Sequence, residues 1–169
     1  MQFGFILSRS VKFVLASLAL LLPIVTAADG NADETPTTSS PQKVAEKMVK
    51  AWNTLNLDMI VDTFSEDGVL HSVMIEPIQG RPALRAHLGA FLVGVTRLDL
   101  QLKNVAVVGN TVFLERVDDF DYKGKHGTVP VVGVMEISDG KVKVWREYYD
   151  RAQLMREMGI PAPAAQAPQ

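Results

Sequence analysis

The chain has 169 residues, of which 47% are apolar and 21% charged, with a formal charge of −2 and no cysteine. This length is sufficient for one domain with a single hydrophobic core. The lack of cysteine excludes disulfides, thiolate metal sites and cysteine nucleophiles. The weak negative charge excludes the basic surface typical of nucleic-acid-binding proteins, so we expect no nucleic-acid partner.

Residues 1–28 predict an export signal. Arg9 and Lys12 precede an apolar run over residues 13–25, and small residues follow at 26–28. This order is typical of a secretory signal peptide, and the apolar run is short for a membrane span. We therefore expect an exported protein, periplasmic or secreted, with no membrane contact after cleavage. An uncleaved N-terminal anchor is the alternative.

Two changes in composition bound the predicted domain. Residues 29–40 have almost no apolar content. In residues 160–169, every residue after Ile160 is proline, alanine or glutamine. Both compositions are typical of chain that does not pack into a core. We expect a disordered linker at 29–40, one folded domain at 41–159 and a disordered tail at 160–169.

The first half of this domain predicts mainly helices. Ser40 and Pro41 are typical of a helix N-cap and a first helical residue, and apolar residues follow them at helical spacing. The pattern then predicts a second short helix over 57–64, a strand over 69–75 and a third helix over 80–95.

The second half predicts four antiparallel strands. Apolar and polar residues alternate from residue 98, and residues 109–110 (Gly-Asn) and 139–140 (Asp-Gly) are typical two-residue hairpin turns. Residues 123–127 predict a wider turn. Pro130 is expected near the start of its strand or at a bulge, because it has no N–H to donate. The order of elements favours an α+β fold, in which a curved, mostly antiparallel sheet wraps the N-terminal helices around a pocket.

Charged residues lie beside aromatic residues on two of these strands. Because side chains alternate between the faces of a strand, Arg116 shares a face with Asp118, and Glu147 shares one with Trp145 and Tyr149. If these faces line the pocket, the arginine can hold both carboxylates while burial raises the pKa of one of them. Two carboxyl groups in different environments can then act as acid and base. Structural ion pairs or surface charges are the alternative interpretation.

The motifs on these strands resemble those of limonene-1,2-epoxide hydrolases. The segments that carry the resemblance are Phe64-Ser-Glu-Asp67, Gly80-Arg81, Glu115-Arg-Val-Asp118, Gly133-Val-Met and Gly140-Lys-Val-Lys-Val-Trp-Arg-Glu-Tyr-Tyr-Asp150. The likeness covers most of residues 43–156. These enzymes belong to a wider group that includes nuclear transport factor 2 (NTF2), ketosteroid isomerases and SnoaL-type cyclases. The resemblance therefore implies a cone-shaped NTF2-like fold.

The resemblance also implies a role for three residues. Asp118 matches the general acid that protonates the epoxide oxygen, and Arg116 matches the arginine that bridges the two carboxylates. Glu147, one methylene longer than the family's aspartate, matches the general base that activates water. The implied reaction opens an epoxide to a vicinal diol in one step, without a cofactor or metal. The expected ligand is a small apolar molecule, and the predicted pocket residues are Leu70, Ser72, Phe120, Val129, Val131, Trp145 and Tyr149.

Besides Glu147, two positions depart from the family's pattern. Leu70 and Ser72 fall where the family has a tyrosine and an asparagine that hold the water. Two alternatives therefore stay open: a noncatalytic module that binds a small apolar ligand and forms a homodimer through its sheet, and an isomerase or cyclase that uses the same pocket. His71 is expected to point away from Ser72, His87 to pack or cap locally, and His126 to be solvated in a turn. The spacing of these histidines predicts no metal site.

Overall fold

The computed structural model describes residues 39–161, and these form four helices and six strands. The predicted signal peptide, nearly all of the predicted linker and most of the predicted tail lie outside the described residues. Within 39–161, no helix has both the length and the apolar run needed to cross a bilayer. In chain order the elements are α1 (Pro41–Asn53), α2 (Leu57–Thr63), β1 (Phe64–Ser72), β2 (Ile78–Gln79), α3 (Arg81–Leu92), β3 (Val95–Val108), β4 (Thr111–Tyr122), β5 (Lys125–Ser138), β6 (Lys141–Tyr149) and α4 (Arg151–Glu157).

The start of α1 follows from its local sequence. The Ser40 hydroxyl accepts a hydrogen bond from the Lys43 backbone N–H at 3.4 Å, and Pro41 occupies the first turn, as predicted. The helix then buries one stripe against the sheet: Val44, Ala45, Met48, Val49, Ala51 and Trp52. Burial of this stripe places Trp52 over the centre of the sheet, where its ring meets Trp145 edge-on at 6.1 Å.

The first strand begins earlier and ends earlier than predicted. Phe64 was expected to end α2 but opens β1, which stops at Ser72 instead of residue 75. Two partners explain this difference. Arg81 donates hydrogen bonds to the carbonyl oxygen of Phe64 at 2.7 and 3.0 Å, which fixes the start of the strand. Pairing with β6 then runs as far as Ser72 opposite Glu147, and the chain turns away after that pair.

The six strands form one sheet in the order β2-β1-β6-β5-β4-β3. The β1–β6 pair is parallel and the other pairs are antiparallel. The predicted α+β class and the curved, mostly antiparallel sheet are therefore confirmed. The hairpin turn predicted at 139–140 is present, with positive φ at Asp139 (51°) and Gly140 (69°).

Two local predictions in the β4–β5 region were wrong. The turn after β4 has two residues, Lys123 (φ 48°) and Gly124 (φ 78°), so β5 already starts at Lys125. Pro130 lies in the middle of β5, opposite Val117, without a bulge. The physical reason is that β6 ends opposite Val131, so β5 is an edge strand at Pro130 and its missing N–H interrupts no ladder on that side.

The third helix also ends earlier than predicted. Val95 was expected to lie on the apolar stripe of α3, but the helix stops at Leu92 and Val95 begins β3. Between them, a side chain on Gly94 would lie 2.3 Å from the ring of Tyr122. The close approach of the chain to this ring therefore requires glycine and sets the point where helix passes into strand.

Candidate active site

A cavity of about 300 Å³ lies between the sheet and helices α1, α3 and α4. Its walls are mainly aliphatic and aromatic. All ten residues predicted as site residues line it: Leu70, Ser72, Arg116, Asp118, Phe120, Val129, Val131, Trp145, Glu147 and Tyr149. The structure thus brings the predicted set together in one place, on β1, β4, β5 and β6. Their chemical roles remain predictions.

Arg116 bonds both carboxylates inside this cavity. Its Nε donates to Asp118 Oδ1 at 2.6 Å and its Nη2 to Asp118 Oδ2 at 3.1 Å. The same Nη2 donates to Glu147 Oε2, and Nη1 donates to Glu147 Oε1 at 3.3 Å. The Arg116 guanidinium also lies over the Trp145 ring, with Cζ 5.6 Å from its centroid. Such paired hydrogen bonds fix the direction of each carboxylate as well as its charge.

All three charges are buried to a degree that changes their acidity. Arg116 is 3% exposed and Glu147 is 8% exposed. Burial raises the pKa of Glu147 to about 7, although the nearby Arg116 lowers it. Burial also raises the pKa of Asp118, again against the effect of Arg116. Burial lowers the pKa of Arg116, but the two carboxylates raise it by more, so the guanidinium stays charged.

The two carboxylates have different neighbours. Glu147 pairs in register with Ser72 on β1, and Tyr149 Oη, two residues further along β6, donates to Ser72 Oγ at 3.1 Å. Asp118 instead pairs with Leu100 on β3 and Val129 on β5, which are both buried and apolar. One acid therefore lies beside two hydroxyl groups, and the other lies in an apolar part of the wall.

The structure separates the three histidines. His71 lies between the cavity residues Leu70 and Ser72 but is not part of the cavity wall, as predicted from strand alternation. His126 lies in β5 and not in a turn, with its ring 3.1 Å from Asp121 and its side chain 60% exposed. Among residues 39–161, no group of three or more His, Cys, Asp or Glu side chains is arranged to hold a metal ion.

His87 and several other cavity residues were missed from the sequence. His87 was expected to pack or cap locally, but it lines the cavity from α3 and stays exposed to solvent. Its spacing from Leu84, Leu88 and Phe91 places it beside the apolar stripe, which is the signal that could have identified it. The other missed wall residues lie on strands β3 and β4 as well as on the three helices that face the sheet or next to them. Those from the helices and nearby chain include Trp52, Phe91, Arg151, Leu154, Met155 and Met158.

Comparison with known families agrees with this architecture. Residues 45–145 match the family described as the SnoaL-like domain. The chain belongs to this SnoaL-like family. The matched segment begins within α1 and ends in the first part of β6, so it includes Arg116 and Asp118 but ends before Glu147.

Solved structures with the same fold support the NTF2-like assignment of this SnoaL-like domain. A hypothetical protein from Catenulispora acidiphila with a ketosteroid isomerase-like fold, in complex with trimethylamine, has a TM-score of 0.64 at 17% identity, covering 74% of this chain and 100% of that chain. An LEH-like epoxide hydrolase from M. tuberculosis has a TM-score of 0.64 at 22% identity, covering 73% and 92%. A candidate SnoaL-like polyketide cyclase from Shewanella denitrificans also has 0.64, at 14% identity, covering 70% and 96%. At these identities the likeness establishes the fold alone.

Proposed function

We propose that this SnoaL-like domain opens a small apolar epoxide with water in one step and forms a vicinal diol. The observation that carries the proposal is the double contact of Arg116 with Asp118 and Glu147 in the wall of an apolar cavity. The fold similarity to an LEH-like epoxide hydrolase is consistent with it. The same residues match the acid, the bridging arginine and the base that the sequence motifs imply.

In the proposed reaction the two carboxyl groups act together. Asp118 donates its proton to the epoxide oxygen as one carbon–oxygen bond of the ring breaks. Glu147 accepts a proton from water as the water oxygen bonds to the same carbon. One proton thus leaves Asp118 and one reaches Glu147, and exchange with solvent restores both groups. Because protonation and deprotonation accompany one displacement, little charge accumulates on either oxygen.

The different neighbours of the two carboxyl groups support these roles. A water molecule needs polar partners, and the hydroxyls of Ser72 and Tyr149 lie on the Glu147 side of the cavity. The hydrocarbon part of a substrate needs apolar contacts, which Leu100 and Val129 provide next to Asp118. We propose that Ser72 and Tyr149 together hold the water, since Leu70 has no group that can do so.

The protonation state required by this mechanism fits the burial of the site. With both carboxylates ionised, Arg116 and the two acids carry a net charge of −1 in an apolar wall. One bound proton makes the group neutral, and burial favours that state. The raised pKa of Glu147, about 7, means that the ionised form of Glu147, which the mechanism uses as the base, is reached at and above neutral pH. A proton-transfer group works best when its pKa lies near the operating pH.

Diol formation in ¹⁸O-labelled water tests the proposal. The wild-type protein is incubated with a panel of terpene and styrene-type epoxides, and we expect a diol that contains one labelled oxygen. Asp118→Asn should reduce turnover at least 100-fold because the variant cannot donate the proton. The matched control is Asp119→Asn, since the neighbouring Asp119 pairs with Arg97 and does not line the cavity. Loss of turnover in both variants, or no diol with any epoxide, would contradict the proposal.

A second function is favoured by one observation. Leu70 makes the wall beside Ser72 apolar where the epoxide hydrolases have a hydrogen-bonding residue, and this suits a ligand that is bound without hydrolysis. Candidate polyketide cyclases share the fold, so an isomerase or cyclase with one carboxylate as the proton carrier is the catalytic form of this alternative. Binding of epoxides without any diol, measured by quenching of tryptophan fluorescence, would favour it. Homodimer formation and export stay predictions.

A further inference from the structure

The bond between Arg116 and Glu147 crosses the strand that lies between them. Arg116 is on β4 and Glu147 is on β6, and β5 separates these strands in the sheet. Adjacent strands lie about 4.8 Å apart, so the side chains must bridge roughly 10 Å over β5. Arg116 lies opposite Val131 of β5, and Glu147 lies opposite Gly133 of β5. The guanidinium and the carboxylate therefore meet above the stretch of β5 that ends at Gly133.

The space where Gly133 would carry a side chain is occupied by this ion pair. A β-carbon at Gly133 would lie 2.5 Å from Arg116 Nη1, 2.9 Å from Trp145 Nε1 and 3.0 Å from Glu147 Oε1. These distances are all shorter than the van der Waals separation of about 3.5 Å between non-bonded atoms. All three atoms belong to side chains and none to the backbone, so an added methyl group would displace the site and not the strand.

The three side chains restrict one another. Arg116 is held by four hydrogen bonds to two carboxylates and lies against the Trp145 ring. The Trp145 ring is fully buried and packs against the rings of Trp52 and Phe64, so it cannot move aside for an added methyl group. The Arg116 Nη1 contact with Glu147 Oε1 is the longest of the four, at 3.3 Å. A methyl group at residue 133 would therefore weaken the Arg116–Glu147 contact first.

We propose that Gly133 is a positioning residue: its missing side chain lets Arg116 reach across β5 and gives the long side chain of Glu147 room to meet it. Its effect on turnover rests on the proposed function, but its effect on Glu147 does not. Position 133 thus sets how strongly the guanidinium stabilises the ionised form of this carboxylate.

Titration of Glu147 in the variant Gly133→Ala tests the inference. The proton-dissociation midpoint of Glu147 is followed by carbon NMR of the side-chain carboxyl groups and assigned with Glu147→Gln. We expect the midpoint to rise by at least half a pH unit, because the guanidinium is moved away from the carboxylate. The charged or titratable groups that face the cavity with Glu147 are Arg116, Asp118, Tyr122, Tyr149, His87 and Arg151.

Gly89→Ala is the matched control. Gly89 lies in α3, is not part of the cavity wall, and an added β-carbon there would meet only Leu57 at 3.3 Å. We expect the Glu147 midpoint of this variant to equal that of the wild type. A folded Gly133→Ala protein with an unchanged midpoint would overturn the inference. Absence of diol formation in the wild type would instead refute the proposed function and leave the titration result unaffected.

A double variant keeps the test informative if Gly133→Ala folds but is too unstable to be titrated. Glu147→Asp shortens the acid by one methylene and withdraws it from the added methyl group. We therefore expect Gly133→Ala combined with Glu147→Asp to unfold at a higher temperature than Gly133→Ala alone. Because the two residues are neighbours in register, their effects should be non-additive. Additive losses of thermal stability would show that Gly133 and Glu147 do not compete for the same space, and the inference would fail.

Discussion

The raised pKa of Glu147 predicts an unusual dependence of stability on pH. Burial raises this pKa from its ordinary value of 4.5 to about 7 in the folded protein. Between these two values the folded state keeps the proton and the unfolded state has lost it. The free energy of unfolding therefore falls as pH rises, by about 1.4 kcal/mol per pH unit over this window. Between pH 5 and pH 8 the expected loss from Glu147 is about 2 to 3 kcal/mol.

Urea denaturation at pH 5 and pH 8 measures this loss. A change of this size lowers the urea midpoint by about 1 M in a domain of this length. Asp67 and Asp121, whose pKa values are held below the ordinary value by Lys143 and Arg97, titrate below this window. The control is Glu147→Gln, which keeps the shape of the side chain but cannot titrate. If the wild type and this variant lose the same free energy between pH 5 and pH 8, the reasoning from burial is wrong.

Four further substitutions, one of them a control, have expected outcomes. Leu84→Ala removes a fully buried side chain and should lower the free energy of unfolding by about 2–5 kcal/mol, whereas Val93→Ala, at an 88% exposed position, should change it by less than about 0.5 kcal/mol. Arg81→Ala should lower the free energy of unfolding by about 1–3 kcal/mol, because it leaves the carbonyl oxygen of Phe64, the first in β1, without its donors. The exposed ion pair of Arg85 should contribute less than about 1 kcal/mol to this free energy. Both values are measured by urea titration. Tyr149→Phe should lower the rate of diol formation by about tenfold through loss of one hydroxyl hydrogen bond, and unchanged kinetics would exclude this residue from holding water.

Most of the site could be predicted from the sequence because its residues follow the two-residue alternation of side chains along a strand. Alternation along β4 places Arg116 and Asp118 on one face, and alternation along β6 places Glu147 and Tyr149 on one face. The hairpin at Asp139-Gly140 has the residue types that its turn requires, so the β5–β6 neighbours could also be inferred. These short-range rules are sufficient wherever a hairpin joins the two strands.

The rest depends on contacts between distant parts of the chain. The parallel pairing of β1 with β6 joins Ser72 to Glu147, and no turn connects these strands. The early end of β1 follows from that pairing and could not be read from the apolar pattern. Similarly, the two-residue turn at Lys123 needs a positive φ at a residue that is not glycine, which local propensity disfavours. The positioning role of Gly133 can be inferred only when the two strands beside β5, which carry Arg116 and Glu147, are known.

The bridge over β5 makes the site sensitive to strand slippage. If β5 paired one residue out of step, every one of its side chains would change face, and Val132 or Val134 would occupy the place of Gly133. A branched side chain there would keep the guanidinium and the carboxylate apart. Correct alignment of β5 and formation of the Arg116–Glu147 contact are thus the same event, and a misaligned molecule would lack this contact even if it were compact.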